Sequence, residues 1–177
     1  PFEVNIGADQ IAGFSSRGPS LEGSTLKPEI SAPGVAISSA GVATGNGARE
    51  LQGTSMACPV VAGAAALVRQ AFPAFTPVEV KAALMNHTAN IGNDAGNIAP
   101  VSLQGSGRVK VDEAVQTTAT ARTVSTDGQV GVTFGVFVVG EDTTATKTVQ
   151  ITNHGPTPLT FDAAIAPTTF LTGTNVS

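Results

Sequence analysis

Ser55 stands in the stretch Gly53-Thr54-Ser55-Met56-Ala57-Cys58-Pro59, and its surroundings are those a nucleophile needs. The residues that follow, Val60 to Val68, are small or apolar on every side, a pattern that predicts a helix buried all round. A serine at the tip of such a helix meets backbone N–H groups without partners and the positive end of the helix dipole. That setting stabilises an oxyanion. Pro59 is compatible with the helix, because a missing N–H near the first turn removes little. Gly53 permits a tight backbone path into it. A serine hydroxyl is still a weak nucleophile until a neighbouring base accepts its proton, so the chemistry turns on where that base comes from.

The chain has two histidines, His87 and His154. His87 follows a helix, between Asn86 and Thr88, where its charged form complements the dipole. His154 lies in Asn153-His154-Gly155-Pro156, which reads as a tight turn between two strands. Neither is expected within the hydrogen-bond reach of Ser55 that a base requires. No cysteine or carboxylate cluster gives the two histidines metal-ligand spacing. Cys58, the single cysteine, falls inside the helix and is expected as a small core residue; one cysteine excludes an internal disulfide. Asn86-His87-Thr88 and Asn175-Val176-Ser177 fit the N-glycosylation acceptor pattern, which is short enough to recur by chance.

The Ser55 stretch resembles the nucleophile motif of the subtilisin-like serine proteases. The likeness extends to Phe14-Ser15-Ser16-Arg17-Gly18-Pro19, to Lys27-Pro28-Glu29-Ile30-Ser31-Ala32-Pro33-Gly34, to Thr76-Pro77 and to Gly105-Ser106-Gly107-Arg108-Val109, in family order. The first of these blocks and the Ser55 block look most like secreted subtilases that carry an inserted protease-associated domain. Val60 departs from the family, which often has a histidine there that is not the catalytic base. The resemblance implies that Ser55 attacks the scissile carbonyl and that the aspartate and histidine of the triad precede it along the chain. Neither of their blocks occurs here, nor does the segment of the oxyanion-hole asparagine. Residues 1–116 are therefore expected to be the C-terminal half of a subtilisin-like peptidase domain, inactive without the missing N-terminal half. The resemblance further implies a protein or peptide substrate and an extracellular setting, secreted or at the cell surface. No cofactor is evident, and structural calcium is left to the full-length enzyme. The fold class it implies is α/β, part of a parallel-sheet domain with a buried nucleophile helix, followed by a β-sandwich-like segment.

Several elements must position Ser55. Phe2, Val4 and Ile6 alternate as in a strand, and Ile11 to Phe14 lead into the Ser-Ser-Arg-Gly-Pro turn. Arg17 reads as a solvated loop residue. Val35 to Ile37 reads as a short apolar strand of a parallel sheet. Val42 to Gly53 is a hairpin or loop delivering the nucleophile. Thr76, Pro77 and Glu79 spell a helix start with a capping box, and Val80, Ala83 and Leu84 supply its apolar face. Glu79 and Lys81 are expected as surface charges. Residues 90–107 read as loop, and Asp94 among its asparagines fits a plain turn. Val109, Val111, Ala114 and Val115 are core candidates for a short strand and helix.

Composition shifts near Gln116. Residues 117–121 are a threonine/alanine passage that reads as a linker. Beyond it, Val130 to Val139, Thr146 to Thr152 and Leu159 to Ile165 carry strand patterns, with Lys147, Val149 and Ile151 in alternation. Residues 117–177 thus look like part of a fibronectin type III-like or immunoglobulin-like domain, since a full sandwich needs about seven strands in ~100 residues.

Charged residues are 12% of the chain and the formal net charge is −4. No Lys/Arg cluster is present to neutralise phosphates, which excludes nucleic-acid binding. No apolar run reaches the ~18–20 residues of a membrane span. Two other readings stand beside the peptidase. One is a non-catalytic surface or adhesion protein on a degenerate protease scaffold. The other, a serine esterase elbow, needs glycine two residues either side of the serine; Gly53 satisfies it and Ala57 does not.

Overall fold

A computed structural model describes residues 9–21, 25–92, 97–135 and 144–164. The strand expected at Phe2, Val4 and Ile6, the Asp94 turn, residues 136–139, Ile165 and the Asn175 glycosylation pattern lie outside them.

The elements mix helices and strands, as an α/β domain does. In chain order they are β1 (Ile37–Ala40), β2 (Ala48–Leu51), α1 (Thr54–Ala71), α2 (Pro77–Asn86), β3 (Thr88–Ala89), α3 (Val101–Gln104), β4 (Arg108–Val109), α4 (Val111–Ala114), β5 (Ala119–Thr123) and β6 (Val149–Asn153). Strands pair as β1–β2, β3–β4 and β5–β6, each pair antiparallel. Parallel pairing among the described residues is confined to single bridges, Gln10 with Gly92 and Ser31 with Arg108. The parallel strand expected at Val35 to Ile37 is therefore corrected. Ile37 opens β1 and faces Leu51 across a hairpin whose loop spans residues 41–47. A hairpin can only be antiparallel, since a parallel partner needs a long crossover.

Helix α2 begins as its sequence dictates. The Glu79 backbone N–H donates to Thr76 Oγ1 at 3.4 Å, and the Thr76 backbone N–H donates to Glu79 Oε2 at 2.7 Å. Two N–H groups that helix geometry leaves orphaned are satisfied in this way. Val80, Ala82, Ala83 and Leu84 are buried. Lys81 is no free surface charge, because its ammonium pairs with Glu29. Short α3 interrupts the loop expected over 90–107, and buried Gln104 at its end accepts from Ile91 N at 2.8 Å.

The core gathers Ala64 and Val68 of α1 with Phe75, Val80, Ala83, Leu84, Val109 and Ala114; Ile30, Val61, Ala65 and Phe72 pack at its edge. On α1 these positions recur at three- and four-residue spacing, one face of the helix. The opposite face carries Ala62, Gly63, Ala66 and Leu67, all exposed, with Leu67 at 50%. The expectation of a helix buried all round fails for the described residues. Composition makes both faces apolar, but packing supplies a partner to only one. Cys58 lies toward the open side and is exposed, not a core residue.

The passage read as a linker is also corrected. Residues Ala119–Thr123 are strand β5, with Thr120 and Thr123 buried. Its two threonines favour an extended, pleated backbone, and pairing with β6 realises it. His154 follows β6 directly, and its ring packs against Phe75, with centroids 4.5 Å apart and the planes tilted by 44°. No strand forms at 130–135 or 159–164 among the described residues.

Candidate active site

The β1–β2 hairpin ends where Ser55 begins. The Gly53 N–H donates to Gly34 O at 2.8 Å, closing the hairpin beyond Leu51. Gly53 adopts φ 148°, ψ 164°, a combination essentially closed to residues with a Cβ. Its carbonyl accepts from Met56 N at 3.0 Å and from Ala57 N at 3.4 Å. Thr54 and Ser55 then open α1, and Ser55 is exposed.

The end of α1 is electrostatically bare. Gly53 has no side chain with which to cap, and the first turn holds no acidic residue. Neither the cap nor the first turn of this 18-residue helix therefore sets a negative charge against its positive end beside the Ser55 hydroxyl. Pro59 lies at the sixth helical position, beyond the first turn where its lack of an N–H would be harmless. Its ring nitrogen cannot bond the Ser55 carbonyl, four residues back.

A cleft of about 550 Å3 opens beside this turn. Its walls draw on residues of the 9–15 and 28–36 segments and on Gly53, Thr54, Ala57, Cys58 and Val61 at the start of the helix; Ser55 is not among the lining residues. Arg108 stands on its far wall. Arg108 Nε lies 2.5 Å from Asp9 Oδ1, out of line for a hydrogen bond, while Nη2 donates to Oδ2 at 3.3 Å. Asp9 is thus spent on Arg108. Separated by 99 residues, the two give no local sequence signal of their pairing.

Neither histidine lines this cleft. His87 caps α2, and its Nδ1 is 2.8 Å from Ala83 O. His154 Nε2 is 2.9 Å from Thr120 Oγ1. Asn86, noted in the sequence only for a chance-prone acceptor pattern, has its amide engaged by Ala121: Oδ1 accepts the Ala121 N–H at 2.7 Å and Nδ2 donates to its carbonyl at 3.1 Å. No group of three or more histidine, cysteine or carboxylate residues forms a metal site among the described residues.

Residues 4–107 match the subtilase family. The chain belongs to that family. It is 40% identical over 113 residues to the minor extracellular protease Vpr of Bacillus subtilis, a match covering 61% of this chain and 14% of that protein. It is 43% identical over 106 residues to subtilisin-like protease SBT3.16 of Arabidopsis thaliana, covering 59% of the chain and 13% of the relative. The CO(2)-response secreted protease of the same plant is 39% identical over 104 residues, with 51% and 13% covered. The chain thus spans about one-seventh of the length of these subtilases. The family match ends at Gly107, so it covers the hairpin, α1, α2 and every cleft residue but Arg108, and not β5 or β6.

Proposed function

We propose that this chain carries the nucleophile of a secreted serine endopeptidase, and that Ser55 forms the acyl-enzyme. The observation that carries the reading is an exposed serine in the first turn of an 18-residue helix whose cap and first turn hold no acidic or capping side chain. In the reaction, Ser55 Oγ attacks the scissile carbonyl, and the oxyanion that develops faces the backbone N–H of Ser55. The proton of Oγ passes to a base from outside the described residues, since His87 and His154 are engaged elsewhere. Subtilase relatives named as extracellular or secreted support an extracellular setting, with protein or peptide as substrate. No helix among the described residues is long and apolar enough to cross a membrane.

On this reading residues 1–116 complete a parallel-sheet peptidase domain together with a preceding half, residues 117–177 contribute to a β-sandwich-like module, and structural calcium belongs to the full-length enzyme. The 177-residue chain alone does not turn over peptides. A fluorophosphonate probe tests both claims. Ser55 of the full-length protein is expected to label, the Ser55→Ala variant not at all, and the isolated chain slower by about a hundredfold or more, the scale of losing transition-state groups. Equal labelling of isolated chain and full-length protein would refute activation from upstream. A full-length protein that never labels would instead favour a non-catalytic surface protein on the same scaffold.

A further inference from the structure

We propose that Gly34 is a positioning residue for the nucleophile turn, acting through Gly53. The inference rests on Ser55 being the nucleophile. Gly34 and Gly53 meet twice. The Gly34 carbonyl accepts the Gly53 N–H at 2.8 Å. On the other side, a Cβ on Gly34 would fall 2.8 Å from Gly53 O and 3.3 Å from Ala57 Cβ. Gly53 O is the atom that ties down the N–H groups of Met56 and Ala57, the two residues that follow Ser55.

The contact leaves a methyl group nowhere to go. Its first neighbour is a backbone carbonyl and its second is a Cβ on the helix, so neither can rotate aside. Either residue 34 retreats and the 2.8 Å bond from Gly53 lengthens, or the Gly53 carbonyl swings and frees Met56 N and Ala57 N. Both responses turn Ser55 at the start of α1. Gly34, Gly53, Thr54 and Ala57 all line the cleft. Gly41 supplies the control. It lies at the far end of the same hairpin, where a Cβ would fall 2.9 Å from Thr44 Oγ1 and 3.3 Å from Gly47 O, with no atom of the Ser55 turn among its neighbours.

The experiment compares Gly34→Ala with Gly41→Ala in the full-length protein. Three quantities are read: the fluorophosphonate labelling rate of Ser55, kcat and KM on a peptide anilide, and amide exchange at Gly53. Gly34→Ala is expected to lower kcat and labelling by about a hundredfold, the cost of a misplacement near 1 Å, with KM little changed. Gly53 amide protection is lost with it. Gly41→Ala lowers Tm but leaves labelling and Gly53 protection near those of the parent. Parental labelling by folded Gly34→Ala overturns the proposal. So does an equal loss in both variants, which would reduce Gly34 to hairpin stability. Should Gly34→Ala fail to fold, the parent decides: a Gly53 amide that exchanges at an unprotected rate overturns the clasp, and a protected one supports it. If the parent never labels at Ser55, the assignment of the nucleophile falls, while Gly53 exchange still reads the clasp.

Discussion

Glu29 joins two lysines from different segments. Lys27 Nζ is 3.1 Å from Oε2, and Lys81 of α2 pairs with Oε1. Burial pushes the Glu29 carboxyl upward, but hydrogen bonds and charge from Lys81 and Lys27 outweigh it, and the group settles below its ordinary 4.5. Because the folded value is depressed, the stabilisation is complete above the unfolded value and is lost as pH falls through the folded one. Glu29→Gln is expected to lower stability at pH 7 by on the order of 1 kcal/mol, after screening of a partly exposed cluster. Thermal melts of both proteins from pH 7 to pH 3 should converge at the acid end. A gap that persists or widens there would show that the ion pairs contribute nothing.

At the scale of elements, α1 poses the sharpest contrast. Leu67 and Val68 are neighbours and equally apolar, yet Val68 is fully buried and Leu67 is half exposed. In the 177-residue chain, Val68→Ala should cost about 2 kcal/mol or more, from lost transfer energy and the cavity left behind. Leu67→Ala should change stability by less than about 0.5 kcal/mol, as surface substitutions do. Urea unfolding of the two variants reads the difference directly, and equal losses would mean that the open face of α1 is covered. The cap of α2 needed no such arbitration, since the triplet of Thr76, Pro77 and Glu79 carries its conformation in residue type and short spacing. The run from Val42 to Gly53 fits a hairpin or a loop equally, and the pairing of Ile37 with Leu51 chose the hairpin. The position of Pro59 was equally visible, but its consequence depended on where α1 begins, one residue before Ser55.

Across the whole molecule, residues beyond Gln116 are tied to those before it. Asn86 at the end of α2 makes two hydrogen bonds to the Ala121 backbone in β5, and His154 packs on Phe75. Asn86→Ala removes both bonds to Ala121 and should cost about 1 kcal/mol, the net value of such bonds at an exposed site. The Ala121 amide should then exchange faster while amides within α1 keep their protection. Unchanged exchange at Ala121 would mean that β6 alone holds β5 in place.

The turn at Gly53 and the start of α1 just after it were legible from residue types, because a glycine followed by a run of small apolar residues suits a tight turn into a helix. So were the capping box and the short strand and helix around Val109 and Ala114, all local. Tertiary structure alone decided the rest, for one reason. Which face of α1 is buried, what Gly34 touches, where Asp9 finds Arg108 and whether residues 119–123 link or pair all depend on partners many residues away, and an apolar or threonine-rich sequence satisfies either outcome equally until packing chooses.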